Sequence, residues 1–412
     1  MKTRITNIRE IVTPVGSRVA VGADMDKLSV LTHSDIILSD GNIESVIPRN
    51  QEEQGIKHVI DAEGAVILPA FVDPHTHLVF GGTREDEFNL RIRGKKYMEI
   101  ARMGGGINST VRATRSESED TLFEHAVRNL RDMVAHGTAT FEIKSGYGLE
   151  TETELKQLRV IKRLQESEPV DIKATFLGAH EIPPEYQGRK KDYVNLVCED
   201  MLPAVKEQGI AEYCDIFCET GVFDIDDSRK ILNRAKELGF KLRIHADELT
   251  PLGGGELAGE LGAASADHLV HVTKAGIAKM VQAGVVFVML PGTTFFLMSD
   301  KFAPAGKILE AGGILALSTD FNPGSSYTHS MPMVITIACL RMGLTIEQGI
   351  NAATLNGAYS LGLQNVTGSI HPGKQADLIF LDAPSYKFLV YNFGVNRIRA
   401  VMKKGQLIYQ KA

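Results

Sequence analysis

His75 and His77 stand one residue apart at the end of the apolar run Ile67-Leu68-Pro69-Ala70-Phe71-Val72-Asp73-Pro74. In an extended strand alternate side chains share a face, so the two imidazoles point the same way and can grip one ion. Matching groups end later apolar runs: His245 in Lys241-Leu242-Arg243-Ile244-His245, His268 in Ala266-Asp267-His268, and Asp320 in Ile314-Leu315-Ala316-Leu317-Ser318-Thr319-Asp320. A lone His-x-His is a short motif that recurs by chance. The ordered string of strand-terminal donors is more specific, because three imidazoles and a carboxylate match the ligand set of a divalent transition metal and leave room for water. A metal held by His75, His77, His245 and Asp320 lowers the pKa of such a water towards about 7. Glu248, three residues past His245, is placed to shuttle the water's proton to a leaving nitrogen. These residues read together as a metal-dependent hydrolase.

Residues so far apart in sequence need a scaffold that gathers strand ends. Short β-rich runs end near His77, Lys144, His180, Glu219, Glu248, His271, Leu290 and Asp320, which makes eight. Helical stretches lie between many of them. Phe123, Val127, Leu130 and Val134 follow a helical spacing before Gly137, and Thr151-x-x-Glu154 predicts a capping box opening the next helix. Eight strands alternating with helices predict an α/β fold, a (β/α)8 TIM-type barrel over residues 66–365, whose active sites lie at the carboxyl ends of the strands. Residues 1–65 and 366–412 carry short strands with turn signals such as Ser39-Asp40-Gly41-Asn42 and Lys404-Gly405, and predict a small β-sandwich domain built from both chain ends.

Composition narrows the class of partner. The chain has 412 residues, 43% hydrophobic and 23% charged, with a formal net charge of −6. No Lys/Arg-rich run appears, so nucleic-acid binding has no support. No stretch of about 18 consecutive apolar residues suggests a membrane span. Charges break the apolar residues of the first ten positions, so no continuous signal-peptide core is present and a cytoplasmic location is expected. Cys198, Cys214, Cys218 and Cys339 fit a reducing compartment, with Cys214 and Cys218 expected as buried thiols of a barrel strand.

The His-x-His on the first strand, His on the fifth and sixth, Asp on the eighth and a sandwich from both termini resemble the amidohydrolase superfamily over essentially the whole chain. Longer stretches, among them Phe71 to Glu85, Gly104-Gly105-Gly106-Ile107, Lys144-Ser145-Gly146-Tyr147-Gly148-Leu149, Phe176-Leu177-Gly178-Ala179-His180-Glu181, His245-Ala246-Asp247-Glu248 and Ser318 to Ser325, resemble the branch that opens a cyclic amide bearing a propionate in histidine degradation. The resemblance implies one divalent metal per chain, zinc or iron, held by His75, His77, His245 and Asp320. It implies substrate contacts from Arg84, Tyr147, His180, Glu248, Asn322, Gly324 and Ser325. It gives His268 the orientation of the attacking water and leaves open whether Glu248 or His268 takes the first proton, with Asp320 a further carrier. A small-molecule substrate and a homodimer are expected.

Several residues carry competing readings. A guanidinium binds a carboxylate through two parallel hydrogen bonds, which suits Arg84 just past His77, whereas Arg91 and Arg93 read as solvated surface charge. Tyr147, between two glycines, reads as an exposed loop phenol, with a buried core tyrosine as the rival. Gly104–Gly106 and Gly253–Gly255 lack phosphate-loop spacing and read as mobile loops at the site. Binuclear relatives use a carboxylated lysine on the fourth strand. That strand has none here, so one metal is expected, with Glu219 either a bridging carboxylate or a polar support, and Lys144 on the second strand. His271 and His329 lie near the barrel mouth with no assigned role. His33, His58, His125, His136 and His371 are given no chemistry. A deaminase of nucleobase-like rings and a non-catalytic scaffold share the same pattern; ammonia release marks the first and lost ligands the second.

Overall fold

The computed structural model describes residues 2–95, 99 and 105–411. Eight parallel strands, Phe71–Asp73, Thr138–Lys144, Asp171–Ala179, Tyr213–Cys218, Lys241–Ala246, Ser265–His268, Val286–Met289 and Ile314–Leu317, pair in sequence order as one sheet. The ring closes where Thr76 bridges Phe321 and the His77 N–H donates to the Phe321 carbonyl at 2.9 Å. Both faces of such a sheet are covered, by packed side chains within and helices without, so its strands read as continuous apolar runs. Thr138–Lys144 and Val286–Met289 are buried at every position. Cys214 and Cys218 are buried free thiols of the fourth strand, as expected.

Helices on the outer face mostly follow the sequence signals, with two departures. In Glu119–Ala135, capped by Ser118, the buried residues are Leu122, Ala126, Leu130, Met133 and Val134, while Phe123 and Val127 are half-buried. The stripe turns by one position because Ala126 and Met133 also face the barrel. The helix Thr151–Ser167 has Glu150 rather than Thr151 at its N-cap, so the expected capping box is absent. Its Glu154 instead accepts the Gly148 and Leu149 N–H groups at 2.8 Å each and clasps the loop that carries Tyr147. No helix among the described residues is long and apolar enough to cross a membrane.

The chain ends build two sheets. One has four strands, Asn42–Pro48, Ser34–Ser39, Lys2–Thr6 and His58–Asp61. The other has six, Gln406–Gln410, Ile398–Lys403, Leu378–Leu381, Val66–Pro69, Glu10–Pro14 and Leu28–Leu31. Strand alternation in the larger sheet serves two cores at once. Ile67, Leu378, Phe380 and Met402 pack into the sandwich, while Val66, Leu68, Ile379, Leu381 and Val401 join the barrel's core. The sheet thus continues past the expected boundary at residue 66. The apolar run before His75 is two strands, Val66–Pro69 in the sandwich and Phe71–Asp73 in the barrel. The turn at Asp40-Gly41 needs glycine: its φ is +83°, and a Cβ there would lie 2.8 Å from the Lys404 carbonyl oxygen.

Candidate metal centre

The first barrel strand ends at Asp73, and His75 and His77 follow it on the segment that bridges Phe321, just past the eighth strand. Their Nε2 atoms lie 3.2 Å apart, and His245 Nε2 is 3.4 Å from that of His77. Asp320 Oδ1 is 3.5 Å from both His75 and His77 Nε2. All four side chains are at most 3% exposed. Burial, with the charge of Lys144 and the neighbouring imidazoles, holds His75 well below the usual imidazole range. Burial does the same for His77, with help from His180 and His245. Both rings are therefore neutral, with lone pairs to offer. Imidazole nitrogens and a carboxylate oxygen packed this closely fit a divalent cation.

Two of the three rings have a carboxylate behind them, whereas the buried Nδ1 of His77 has no protein partner among the described residues. His75 Nδ1 is 2.6 Å from Asp267 Oδ2 and His245 Nδ1 is 3.1 Å from Asp215 Oδ2. Lys144, fully buried at the end of the second strand, donates to Glu142 at 2.8 Å and forms ion pairs with Asp215 at 2.8 Å and Asp267 at 4.0 Å. Its amine is committed to these carboxylates, so it is no bridging ligand. Asp320 Oδ2 accepts the Thr293 hydroxyl at 2.5 Å. Such outer partners fix the tautomer and orientation of a ligand. Asp215, Asp267 and Thr293 were not picked out from sequence, although a lone aspartate inside each buried strand, Tyr213–Cys218 and Ser265–His268, was a usable signal.

His268 and Glu248 face each other beside the cluster, Nε2 to Oε2 at 3.6 Å. Burial, reinforced by the negative charge of Asp320, pushes the Glu248 carboxyl up to about 8. The residues that deliver these groups have left-handed backbone: φ is +51° at Asp247, +73° at His268 and +51° at Asp320. Non-glycine residues in that region store strain, which clusters at functional sites.

The expected substrate-contact residues divide. His180 donates through Nδ1–H to the Gly146 carbonyl, 2.9 Å away, and stacks on His77 with ring centroids 5.0 Å apart. Tyr147 is buried, not exposed: its ring packs 5.8 Å from His77 and 5.4 Å from His180, so it faces the cluster from inside the mouth. Arg84 pairs through Nε with Glu87 at 2.9 Å, and a Cβ on Gly324 would overlap its Nη1, which puts guanidinium and loop in direct contact. Asn322 Oδ1 accepts the Gly324 and Ser325 N–H groups at 2.8 Å each, and its amide lies 3.0 Å from Ser325 Oγ, so both side chains shape the loop after the eighth strand.

Other readings change. Arg91 is half-buried rather than solvated: it lies 5.1 Å from the Phe296 ring and donates to the Gly324 carbonyl at 3.2 Å, whereas Arg93 is exposed. Gly253–Gly255 is no mobile loop but a capped helix start, with Asp247 accepting all three N–H groups. Gly104 lies outside the described residues; Gly106 donates to Glu87 and precedes the helix Ile107–Ser116. Glu219 bonds to the turn after Glu248, not to the ligand cluster. His271 pairs with Lys301 at 2.7 Å and His329 with Asn129 at 3.2 Å, both off the cluster.

Comparison with known proteins places this geometry. The model of the amidohydrolase family matches residues 66–408. A protein named imidazolonepropionase from Clostridium tetani is 47% identical over 416 residues, covering 99% of this chain and 98% of its own. One of that name from Porphyromonas gingivalis is 47% identical over 417 residues, with the same coverage. A zinc-bound adenosine deaminase from Xanthomonas campestris shares the fold, with a TM-score of 0.70 at 19% identity over 98% of this chain and 92% of its own. A family model over most of the chain and near-half identity end to end leave one assignment: the chain belongs to the amidohydrolase family, on the branch of the proteins named imidazolonepropionase.

Proposed function

We propose that the protein hydrolyses 4-imidazolone-5-propanoate to N-formimidoyl-L-glutamate in histidine degradation, with one zinc or iron ion per chain. The observation that carries this reading is the end-to-end match to relatives of that name in a chain whose barrel mouth gathers four buried metal-type donors. His75, His77, His245 and Asp320 would hold the ion, which supplies Lewis acidity that makes a water reactive near neutral pH. Arg84 binds the substrate's propionate, and Tyr147 and His180 wall the ring's pocket. Glu248 takes the water's proton and returns it to the ring nitrogen as the carbon–nitrogen bond breaks, while His268, across from it, orients the water. A homodimer working in the cytoplasm completes the proposal, checked by light scattering and by cell fractionation.

Substrate discrimination tests the reading. The metal-loaded protein should turn over 4-imidazolone-5-propanoate with a kcat/KM within the usual enzymatic range of about 10⁴–10⁸ M⁻¹s⁻¹, and should leave guanine, cytosine and adenosine untouched. Preference for any of those three compounds would overturn it.

A further inference from the structure

Glu219 directly follows the fourth barrel strand, is 1% exposed, and belongs to no metal-type cluster among the described residues. Its carboxylate is nonetheless fully engaged. Oε1 accepts the Thr220 N–H at 2.8 Å and the Thr250 hydroxyl; Oε2 accepts the Leu249 N–H at 2.8 Å and the Thr250 N–H at 3.3 Å. Three of these four donors sit on the two residues directly after Glu248. On the other side, Asp247, with its left-handed backbone, binds the N–H groups of Gly253, Gly254 and Gly255. The turn that presents Glu248 is therefore pinned on both flanks by carboxylates from neighbouring positions of the barrel rim.

We infer that Glu219 is a positioning residue that sets where the Glu248 carboxyl stands, an inference that rests on Glu248 carrying the proton. An ionised carboxylate is the one side chain that offers acceptors alone at both oxygens, and bonds to a charged acceptor are about twice as strong as neutral ones. A glutamine there turns an NH2 toward a backbone N–H and must push part of the turn away. A general base has to stand within about 2.6–3.2 Å of the group whose proton it takes, so a shift of about 1 Å takes the Glu248 carboxyl out of range.

The test is a double-mutant cycle in the full-length, metal-loaded protein. Glu219→Gln should lower kcat by about 10- to 100-fold, the scale of a 1 Å misplacement, with KM within about threefold and metal content unchanged. In a Glu248→Gln background the same substitution should have no further effect on kcat, because the group it positions no longer transfers a proton. If Glu219→Gln does not fold, Thr250→Val, which removes one of the four donors, takes its place in the cycle with a smaller expected loss. Equal losses in both backgrounds would overturn the inference alone, since Glu219 would then act on the fold at large. A Glu248→Gln protein with normal kcat would overturn the proton-transfer reading and the inference together.

Discussion

Asp267, on the sixth barrel strand, meets Nδ1 of His75, 192 residues earlier in the chain, at 2.6 Å. This contact fixes the ring so that Nε2 faces His77 and Asp320. Asp267→Asn keeps the shape and removes the charge. It should weaken metal binding by about 10- to 100-fold in competition with a chelator, without unfolding the protein. Unchanged affinity would mean that the ring is oriented by its packing alone.

Lys144 balances the buried carboxylates behind His75 and His245. Its ammonium is held charged against its own burial by Asp215, Glu142 and Asp267. Lys144→Met leaves those carboxylates without their cation, and should destabilise the protein by about 3–5 kcal/mol in chemical denaturation. A loss below about 1 kcal/mol would show that the carboxylates take up protons at little cost.

The contact between Arg84 and Gly324 makes a paired prediction on substrate binding. Arg84→Met should weaken binding by on the order of 2–4 kcal/mol, because it strands the substrate's carboxylate. Gly324→Ala should produce a smaller loss in the same direction, since the new methyl displaces a flexible guanidinium rather than backbone. Arg91→Met, which leaves Arg84 in place but frees the Gly324 carbonyl, should fall between wild type and Arg84→Met. Equal effects of Arg84→Met and Arg91→Met in steady-state kinetics would remove the special role of Arg84.

Glu248 predicts the acid side of the pH profile. Burial and Asp320 raise its carboxyl to about 8, and a bound dication would favour the ionised form and move it lower. A base must be ionised to accept a proton, so kcat/KM should fall as the pH drops through a midpoint below about 8. Glu248→Gln should lower kcat by about 10²–10⁴-fold with KM changed much less, and should abolish that limb while metal content holds. A limb that persists unchanged in Glu248→Gln would assign it to another group.

Much of this was legible because barrels place their chemistry at strand ends, where a polar residue closing an apolar run stands out. His75, His77, His245, His268 and Asp320 all carry that mark. Asp215 and Asp267 lie within strands, where nothing but their charge distinguishes them from core positions, and their partners are fixed only when the ring closes. Thr151 and Glu154 have capping-box spacing, but the helix begins one residue early because Glu154 serves the loop instead. Val66–Pro69 reads as barrel because it is apolar throughout; it is apolar because its sheet is covered on both faces. Arg91 reads as surface charge because, of the groups that half-bury it, only Phe88 is near in sequence, whereas Phe296 and the Gly324 carbonyl meet it only in space.

The stoichiometry of products tests the central claim most directly. Hydrolysis of the ring amide adds one water and keeps both nitrogens, whereas deamination releases one as ammonia. Purified, metal-loaded protein incubated with 4-imidazolone-5-propanoate should yield one N-formimidoyl-L-glutamate per substrate consumed and no ammonia, and His75→Ala should yield neither product. Ammonia released in step with substrate loss, or no turnover by fully loaded protein, would contradict the account.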